Sequence, residues 1–113
     1  MEGCVFCQIA DKKIPAKIVY QDRSVTVFQD LNPQAPTHLL LIPNKHIASV
    51  GELSAEDDKL VGEIILVAQK LAKEFRLEKG VRLVINYGPE AGLTVNHLHV
   101  HLLGGRKFSW PPG

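Results

Sequence analysis

Imidazole and aliphatic side chains alternate near the C-terminal end of the chain, in the segment His97-Leu98-His99-Val100-His101-Leu102-Leu103. Side chains along a β-strand point to opposite faces in turn, so the alternation predicts one strand, residues 95–103, with three imidazoles on one face. The aliphatic side chains then face the core. Imidazoles can titrate, bind metal or act as nucleophiles near neutral pH, so the segment predicts a chemical site. A half-exposed strand with hydrogen-bonded histidines is the alternative.

Length and charge narrow the class of protein. The chain has 113 residues, which predicts one domain, 1–113. Its net charge of +1 gives no bulk attraction to polyanions, so we expect neither a nucleic-acid partner nor a membrane partner. No signal peptide and no apolar segment of about 20 residues is visible, which predicts a cytoplasmic protein with reduced or metal-bound cysteines.

The remaining pattern predicts an α+β domain with about five mostly antiparallel strands, one long helix and a short N-terminal helix at residues 4–10. Ser54 and Asp57 form a capping-box start for the long helix, and Gly80 is its expected stop. The apolar stripe of this helix is Leu60, Ile64, Ala68, Leu71 and Phe75. The expected strands are residues 18–20, 25–28, 38–42, 81–86 and 95–103, with loops at 30–36 and 87–94.

The whole chain resembles the histidine triad (HIT) superfamily, and within it the histidine triad nucleotide-binding (Hint) branch. The triad itself has the pattern His-x-His-x-His-apolar-apolar. Other matching segments are Ile14-Pro15, Pro33-Gln34-Ala35-Pro36-Thr37-His38, Ile42-Pro43, Lys45-His46-Ile47 and Trp110-Pro111-Pro112-Gly113. The resemblance implies a HIT-like fold and a purine nucleoside phosphoramidase, which hydrolyses AMP phosphoramidates or acyl-adenylates.

The resemblance also implies catalytic roles. His99 is the expected nucleophile, which attacks the α-phosphorus and forms a covalent nucleotidyl-histidine. A neutral imidazole is a good nucleophile near pH 7 without a separate strong base. His101 is expected to protonate the leaving group, and His38 to complete a proton relay.

The implied ligand is a purine nucleotide, AMP or GMP. Asp30 matches the residue that binds the ribose hydroxyls, although its turn-rich surroundings equally favour a plain turn residue. The family usually has Gln where this chain has Leu93, which leaves only the backbone N–H of Leu93 as a donor. The expected nucleotide-binding residues are Phe6, Ile9, Phe28, Asp30, Leu31, Asn86, Gly92, Leu93, Thr94, Val95, His101 and Trp110.

A C-x-x-C motif lies near the start of the chain. Alone it is a weak signal, which two buried reduced cysteines would also explain. The resemblance implies a structural tetrahedral zinc site, and four residues match its ligands: Cys4, Cys7, His46 and His97.

The resemblance finally implies a two-fold homodimer that joins the long helices and the strands ending near Asn86. A short sheet with open edges favours such pairing. The tail, residues 106–113, is expected to dock on the partner, with Trp110 reaching toward the partner's leaving-group pocket.

Three other functions fit parts of the sequence. A metalloenzyme would place His97, His99, His101 and His38 on an open catalytic zinc. A scaffold protein would bind AMP without turnover. A dinucleoside polyphosphate hydrolase is the rival within the superfamily, although the Trp-Pro-Pro-Gly tail favours the phosphoramidase branch.

Overall fold

The computed structural model describes residue 1 and residues 3–113. Within them the strands are β1 (Ile18–Gln21), β2 (Val25–Gln29), β3 (Thr37–Pro43), β4 (Val81–Val84) and β5 (Val100–Gly104), and the α-helices are α1 (Val5–Ala10) and α2 (Asp58–Glu74). The strands form one antiparallel sheet in the order β1-β2-β3-β5-β4. The predicted α+β class, with one long helix and a short N-terminal helix, is confirmed.

The two helices cover opposite faces of the sheet, and β3 shows how the sequence divides between them. Leu39 and Leu41 pack in the apolar cluster beneath α2, while Leu40 and Ile42 pack in the cluster beneath α1. Because side chains alternate along a strand, His38 falls on the α1 face together with Leu40. The α1 face is therefore the one that carries the polar chemistry.

The start of α2 follows the prediction, but its end does not. The backbone N–H of Ser54 donates to the Asp57 carboxylate at 3.0 Å, which forms the predicted capping box at the short 3-10 turn before α2. The helix ends at Glu74 rather than near Gly80, because Arg76 takes a left-handed φ of 57°. The N–H of Leu77 then returns to the Ala72 carbonyl, and the Leu77 side chain enters the core.

The histidine strand is shorter than predicted. Strand β5 begins at Val100 rather than at residue 95, because the backbone before it bonds elsewhere. The N–H of Leu98 donates to the Ile47 carbonyl, and the carbonyl of His97 accepts a bond from a side chain. The neighbouring strand β4 likewise ends at Val84 instead of residue 86, since its last partner is His101.

None of the helices in the described part of the chain combines the length and the apolar character needed to cross a membrane.

Candidate functional site

His99 lies directly before β5 and is 9% exposed. Its Nδ1 lies 2.7 Å from the carbonyl oxygen of His97. A carbonyl oxygen only accepts hydrogen bonds, so Nδ1 carries the proton and Nε2 of the neutral ring keeps a lone pair. Nucleophilic attack through Nε2 requires this tautomer.

A second chain of hydrogen bonds fixes the tautomers of His38 and His101. The backbone N–H of Gln34 donates to Nδ1 of His38 at 3.0 Å, so His38 carries its proton on Nε2. That Nε2 lies 2.9 Å from Nδ1 of His101 and donates to it. His101 therefore carries its own proton on Nε2. The centroids of the His99 and His101 rings are 5.1 Å apart, so the ring that keeps a lone pair on Nε2 is adjacent to the ring that carries an Nε2–H donor.

His38 and His101 are both held neutral. The pKa of His101 is lowered to about 4, first by burial and then by the charged forms of His99 and His38, while Asp30 opposes the shift. Burial also lowers the pKa of His38, again against the Asp30 carboxylate. The 3.4 Å contact between His38 Nε2 and Asp30 Oδ2 is therefore a polar contact of a neutral ring at pH 7, and not an ion pair.

Asp30, His38 and His101 bring three metal-ligand atoms within 4.8 Å of one another, but their geometry fits a proton. A cation would need the lone pair of His38 Nε2, which the Gln34 N–H prevents by keeping the proton there. The 2.9 Å separation is a hydrogen-bond length. Two nitrogen ligands on tetrahedral zinc stand about 3.3 Å apart.

The second cluster has the opposite character. All four predicted ligands meet, because the Sγ atoms of Cys4 and Cys7 and the Nδ1 atoms of His46 and His97 lie within 4.8 Å of one another. Three sulfur–nitrogen distances are 3.2, 3.3 and 3.5 Å, and the two nitrogens are 3.2 Å apart. Ligand atoms on tetrahedral zinc stand about 3.3 to 3.8 Å apart. The donor set and its spacing fit a tetrahedral metal ion.

The surroundings of the cluster suit a cation. Nε2 of His97 donates to the Pro43 carbonyl at 2.8 Å, which leaves the Nδ1 lone pair facing the other ligands. Burial lowers the pKa of His97 and so favours the neutral form that binds metal. Burial raises the pKa of the Cys7 thiol, an effect that a bound cation reverses by stabilising the thiolate. A cavity of about 470 Å³, lined in part by Cys4, His46 and residues 94–96, gives access to it.

His97 connects the two clusters. Its ring belongs to the metal-ligand cluster, and its carbonyl fixes the tautomer of His99. Phe6, between the two cysteines in sequence, meets the His97 and His99 rings edge-on at 6.0 and 5.2 Å. Among the described residues no metal-ligand cluster unites His97, His99 and His101, so the three histidines have three separate environments.

The residues expected to contact a purine divide into two groups. Phe6, Ile9 and Phe28 are buried together beneath α1, with the two phenyl rings edge-to-face at 5.3 Å, and Val95 packs against them. Leu31 is fully exposed and lies outside that cluster. Asp30 acts partly as a turn residue, because its Oδ1 accepts the Asn32 N–H at 2.8 Å while its Oδ2 faces His38.

The expected phosphate loop follows β4. Asn86 is half-buried, and Gly92 takes a φ of 87° that closes the 3-10 turn Pro89–Ala91. The Leu93 N–H already donates to the Gly88 carbonyl at 3.2 Å, so a phosphate would have to compete for it. Thr94 is exposed and lines the cavity beside the metal-ligand cluster.

The tail is anchored on its own chain by residues that the sequence did not single out. The guanidinium groups of Arg82 and Arg106 both lie over the ring of Phe108, 5.0 and 4.3 Å from its centroid. Arg82 also donates to the Ser109 carbonyl at 3.0 Å. Trp110, the next residue, is 81% exposed, so packing on its own subunit does not account for it. No sequence signal points to Arg82, since its partner is a backbone carbonyl.

Comparison with known proteins identifies the family. The HIT domain family pattern matches residues 11–108, so the chain belongs to the HIT domain family. An uncharacterized HIT-like protein of Synechocystis is 48% identical over 99% of this chain and 98% of that protein. The crystal structure of a HIT family hydrolase from Legionella pneumophila superposes with a TM-score of 0.96 at 49% identity, covering 97% of this chain and 99% of that one. A histidine triad nucleotide-binding protein from Candida albicans superposes with a TM-score of 0.82 at 29% identity, over 96% of this chain and 82% of that one.

Proposed function

We propose that this protein is a nucleotide hydrolase that cleaves purine nucleoside phosphoramidates or acyl-adenylates through a covalent nucleotidyl-histidine on His99. The carrying observation is the pair of complementary tautomers, a lone pair on His99 Nε2 beside an N–H on His101. The resemblance to a HIT family hydrolase and to a nucleotide-binding protein supports both halves of the proposal.

In the first step His99 Nε2 forms a bond to the α-phosphorus while the bond to the leaving group breaks, and the electron pair departs with that group. The Nε2–H of His101 protonates a departing amine, whereas a departing carboxylate needs only a hydrogen bond. The carbonyl of His97 stabilises the positive charge on the nucleotidyl-imidazolium through Nδ1–H. In the second step water attacks phosphorus, and the bond from phosphorus to His99 Nε2 breaks with its electron pair returning to that nitrogen, which releases the nucleotide. The proton of the water goes to His101 Nε2 where an amine has left and taken the His101 proton, and to solvent where a carboxylate has left.

Asp30 is proposed to bind the ribose hydroxyls. Its Oδ1 is held by the Asn32 N–H, which orients the carboxylate at the end of β2. The aromatic pair of Phe6 and Phe28 forms the proposed apolar wall for the purine, together with Ile9 and Val95. The exposed Leu31 is proposed to contact the purine from outside that cluster. Asn86, Gly92, Leu93, Thr94 and Trp110 remain the proposed contacts to phosphate and leaving group.

Zinc is the ion we propose for the cluster of two cysteines and two histidines. Two thiolates with two imidazoles suit zinc better than magnesium or calcium, which prefer oxygen ligands. When bound there, zinc would supply a cross-link between the N-terminal segment and the segment before β5. That cross-link would hold Phe6 and the His97 carbonyl in place around His99.

A homodimer is proposed for the exposed apolar surface of α2 and β4. Strand β4 is an edge strand, and a groove of about 400 Å³ runs between it and α2. Ile65, Val81 and Leu83 are 42, 40 and 38% exposed along this surface. Exposed apolar edge strands favour self-pairing. Leu83→Glu should yield monomers in sedimentation, while Leu31→Glu, which changes an exposed leucine outside the groove, should not.

Chemical trapping tests the function. Rapid quenching of the protein with an adenosine 5′-phosphoramidate should give an acid-labile nucleotidyl adduct on the peptide that contains His99. His99→Gln should give none. Two successive inversions through the adduct predict retained configuration at phosphorus. Net inversion would indicate direct attack by water and would overturn the covalent mechanism.

A further inference from the structure

The loop before β3 is held in place by the segment after β5, through one residue whose two backbone groups serve different partners. The N–H of Gln34 donates to Nδ1 of His38 at 3.0 Å. The carbonyl of Gln34 accepts the Nε–H of Arg106 at 3.0 Å. Gln34 itself is exposed, and its side-chain amide donates to the Asn32 carbonyl within the same loop at 2.9 Å. Arg106 is thus bonded directly to the residue that sets the His38 tautomer.

The chain places Arg106 there by a turn that only glycine allows. Gly105 takes a φ of 90°, and a Cβ at this position would meet Pro36 at 3.0 Å. The turn folds the chain back over the loop from Asp30 to Pro36. The guanidinium of Arg106 also donates to the Lys107 carbonyl at 3.1 Å and lies against the Phe108 ring, so its orientation is fixed on two sides.

The tautomer of His38 decides what His101 can do. While the Gln34 N–H occupies His38 Nδ1, His38 must donate to His101 Nδ1, and His101 must carry its proton on Nε2. If Gln34 moves away, His38 can place its proton on Nδ1 and accept from His101 instead. His101 Nε2 would then be a lone pair and could not donate to a leaving group.

We propose that Arg106 is a positioning residue, which acts through Gln34 and His38 to keep the Nε2–H of His101 directed into the site. The assignment of His101 as the proton donor rests on the proposed hydrolase function, but the positioning of the tautomers does not. The side chain of Arg106 contacts neither His38 nor His101 in the structure; its hydrogen bonds end at Gln34 and Lys107.

Nitrogen-15 NMR of the histidine rings in the full-length protein tests the positioning directly. In the wild type, Nδ1 of His38 and Nδ1 of His101 should show the shifts of unprotonated nitrogens. In Arg106→Met both rings should move to averaged tautomer shifts, while His99 keeps its protonated Nδ1 because its acceptor is the His97 carbonyl. Lys107→Met removes a neighbouring exposed cation and should leave all of these shifts as in the wild type.

Two outcomes would overturn the proposal. One is an Arg106→Met protein with wild-type shifts at His38 and His101. The other is an Arg106→Leu protein with wild-type shifts, because Leu removes every N–H donor that could reach the Gln34 carbonyl. Arg106→Leu also provides the test if Arg106→Met fails to fold.

A comparison of kcat for two leaving groups adds a measurement that a purely structural role of Arg106 would not change selectively. Arg106→Met should lower kcat about tenfold for an amine leaving group, and less than about threefold for an acyl-adenylate, whose carboxylate leaves without a proton. Equal losses on both substrates would contradict a role through His101. If the wild type hydrolyses neither substrate, the proposed function fails, while the ring-nitrogen shifts still decide the role of Arg106.

Discussion

Two clusters of side chains flank His99. Each contains two histidines, but the geometry of the two histidine pairs differs. On one side His46 and His97 direct their Nδ1 atoms toward two cysteine sulfurs, with all four ligand atoms converging on one point. On the other side His38 and His101 form a directed chain in which a backbone N–H sets each donor in turn. The geometry of the first cluster fits a metal ion, whereas the second cluster is linked by its own hydrogen bonds.

The difference shows that the hydrogen-bond partner of one ring nitrogen decides whether the other nitrogen of the same ring carries a proton or a lone pair. His97 gives its Nε2–H to the Pro43 carbonyl and so presents a lone pair at Nδ1. His38 accepts at Nδ1 and so presents an N–H at Nε2. Residue type alone does not separate a metal ligand from a proton relay, since both sides use the same ring.

The largest expected effect follows from removing the residue between the clusters. His99→Ala should lower turnover by at least about 10³-fold, because the nucleophile is lost, while AMP still binds. Steady-state kinetics and calorimetric titration with AMP measure the two quantities. A purified, contamination-free variant that retains more than a few per cent of the rate would disprove the covalent mechanism.

Opening the metal-ligand cluster should act mainly on stability. Cys4→Ser combined with Cys7→Ser should abolish stoichiometric zinc and lower the Tm by about 10 °C, because metal binding is coupled to folding. Activity per folded molecule should fall less than stability. Elemental analysis and thermal unfolding measure the effect, and chelated wild type is the control.

Two results would contradict the zinc assignment. A wild type purified without chelator that holds no zinc and takes up none stoichiometrically has no such site. A chelated wild type with an unchanged Tm has a site that does not stabilise the fold.

For the cluster of His38 and His101, the expected effect is a pH dependence of the free energy of unfolding. The pKa of His101 falls from 6.5 to about 4 on folding, so the unfolded chain binds protons more readily. His101 therefore stabilises the fold fully above about pH 7, and this contribution decreases as the pH falls from 6.5 toward 4. A fall of this size corresponds to roughly 3 kcal/mol, and because the His101 ring is only half-buried, solvent screening reduces the expected loss to roughly 2 kcal/mol.

Urea unfolding of the wild type and of His101→Gln between pH 4 and 7.5 measures this contribution. His97, whose pKa burial also lowers, is present in both proteins, so the difference between the two curves reports His101 together with its coupling to His38 and His99. Identical slopes would show that His101 titrates in the folded protein as it does in the unfolded chain.

The sequence predicted the elements better than their ends. The alternation of residues 97–103 predicts which side chains share a face, because that depends on the strand period alone. It cannot predict that β5 starts at Val100, which depends on where β4 and the Ile47 carbonyl lie after folding. The end of α2 was missed for a similar reason, since the left-handed turn is made by Arg76 and not by a glycine.

The four predicted metal ligands converge, and cysteine and histidine are recognisable by type. Gln34 and Arg106 were not predicted as functional residues. Gln34 acts through its backbone N–H and carbonyl, which every residue but proline offers. A role that depends on backbone groups does not require a particular residue type, so the sequence cannot indicate it and the structure is needed to find it.

The smallest expected effect concerns the tail and its proposed contact with the leaving group. Deletion of residues 107–113 removes Phe108 and Trp110 but keeps Arg106, whose Nε–H donates to the Gln34 carbonyl. Because Trp110 is 81% exposed on its own chain, we expect it to contact the leaving group in the proposed homodimer. The deletion should change the preference between two amine leaving groups about fivefold, with AMP affinity unchanged.

An unchanged substrate profile after this deletion would contradict the role of Trp110, and so would a wild type that sediments as a monomer at micromolar concentration. Altered His38 shifts in the truncated protein would mean instead that Phe108 is needed to orient Arg106, which would extend the relay to the tail. Trp110→Ala in the full-length chain distinguishes a contact of Trp110 with the leaving group from an effect of Phe108 on Arg106, because this variant keeps the contacts of the Phe108 ring with Arg82 and Arg106. If Trp110 contacts the leaving group, Trp110→Ala should change the leaving-group preference as the deletion does, because that contact requires the indole ring.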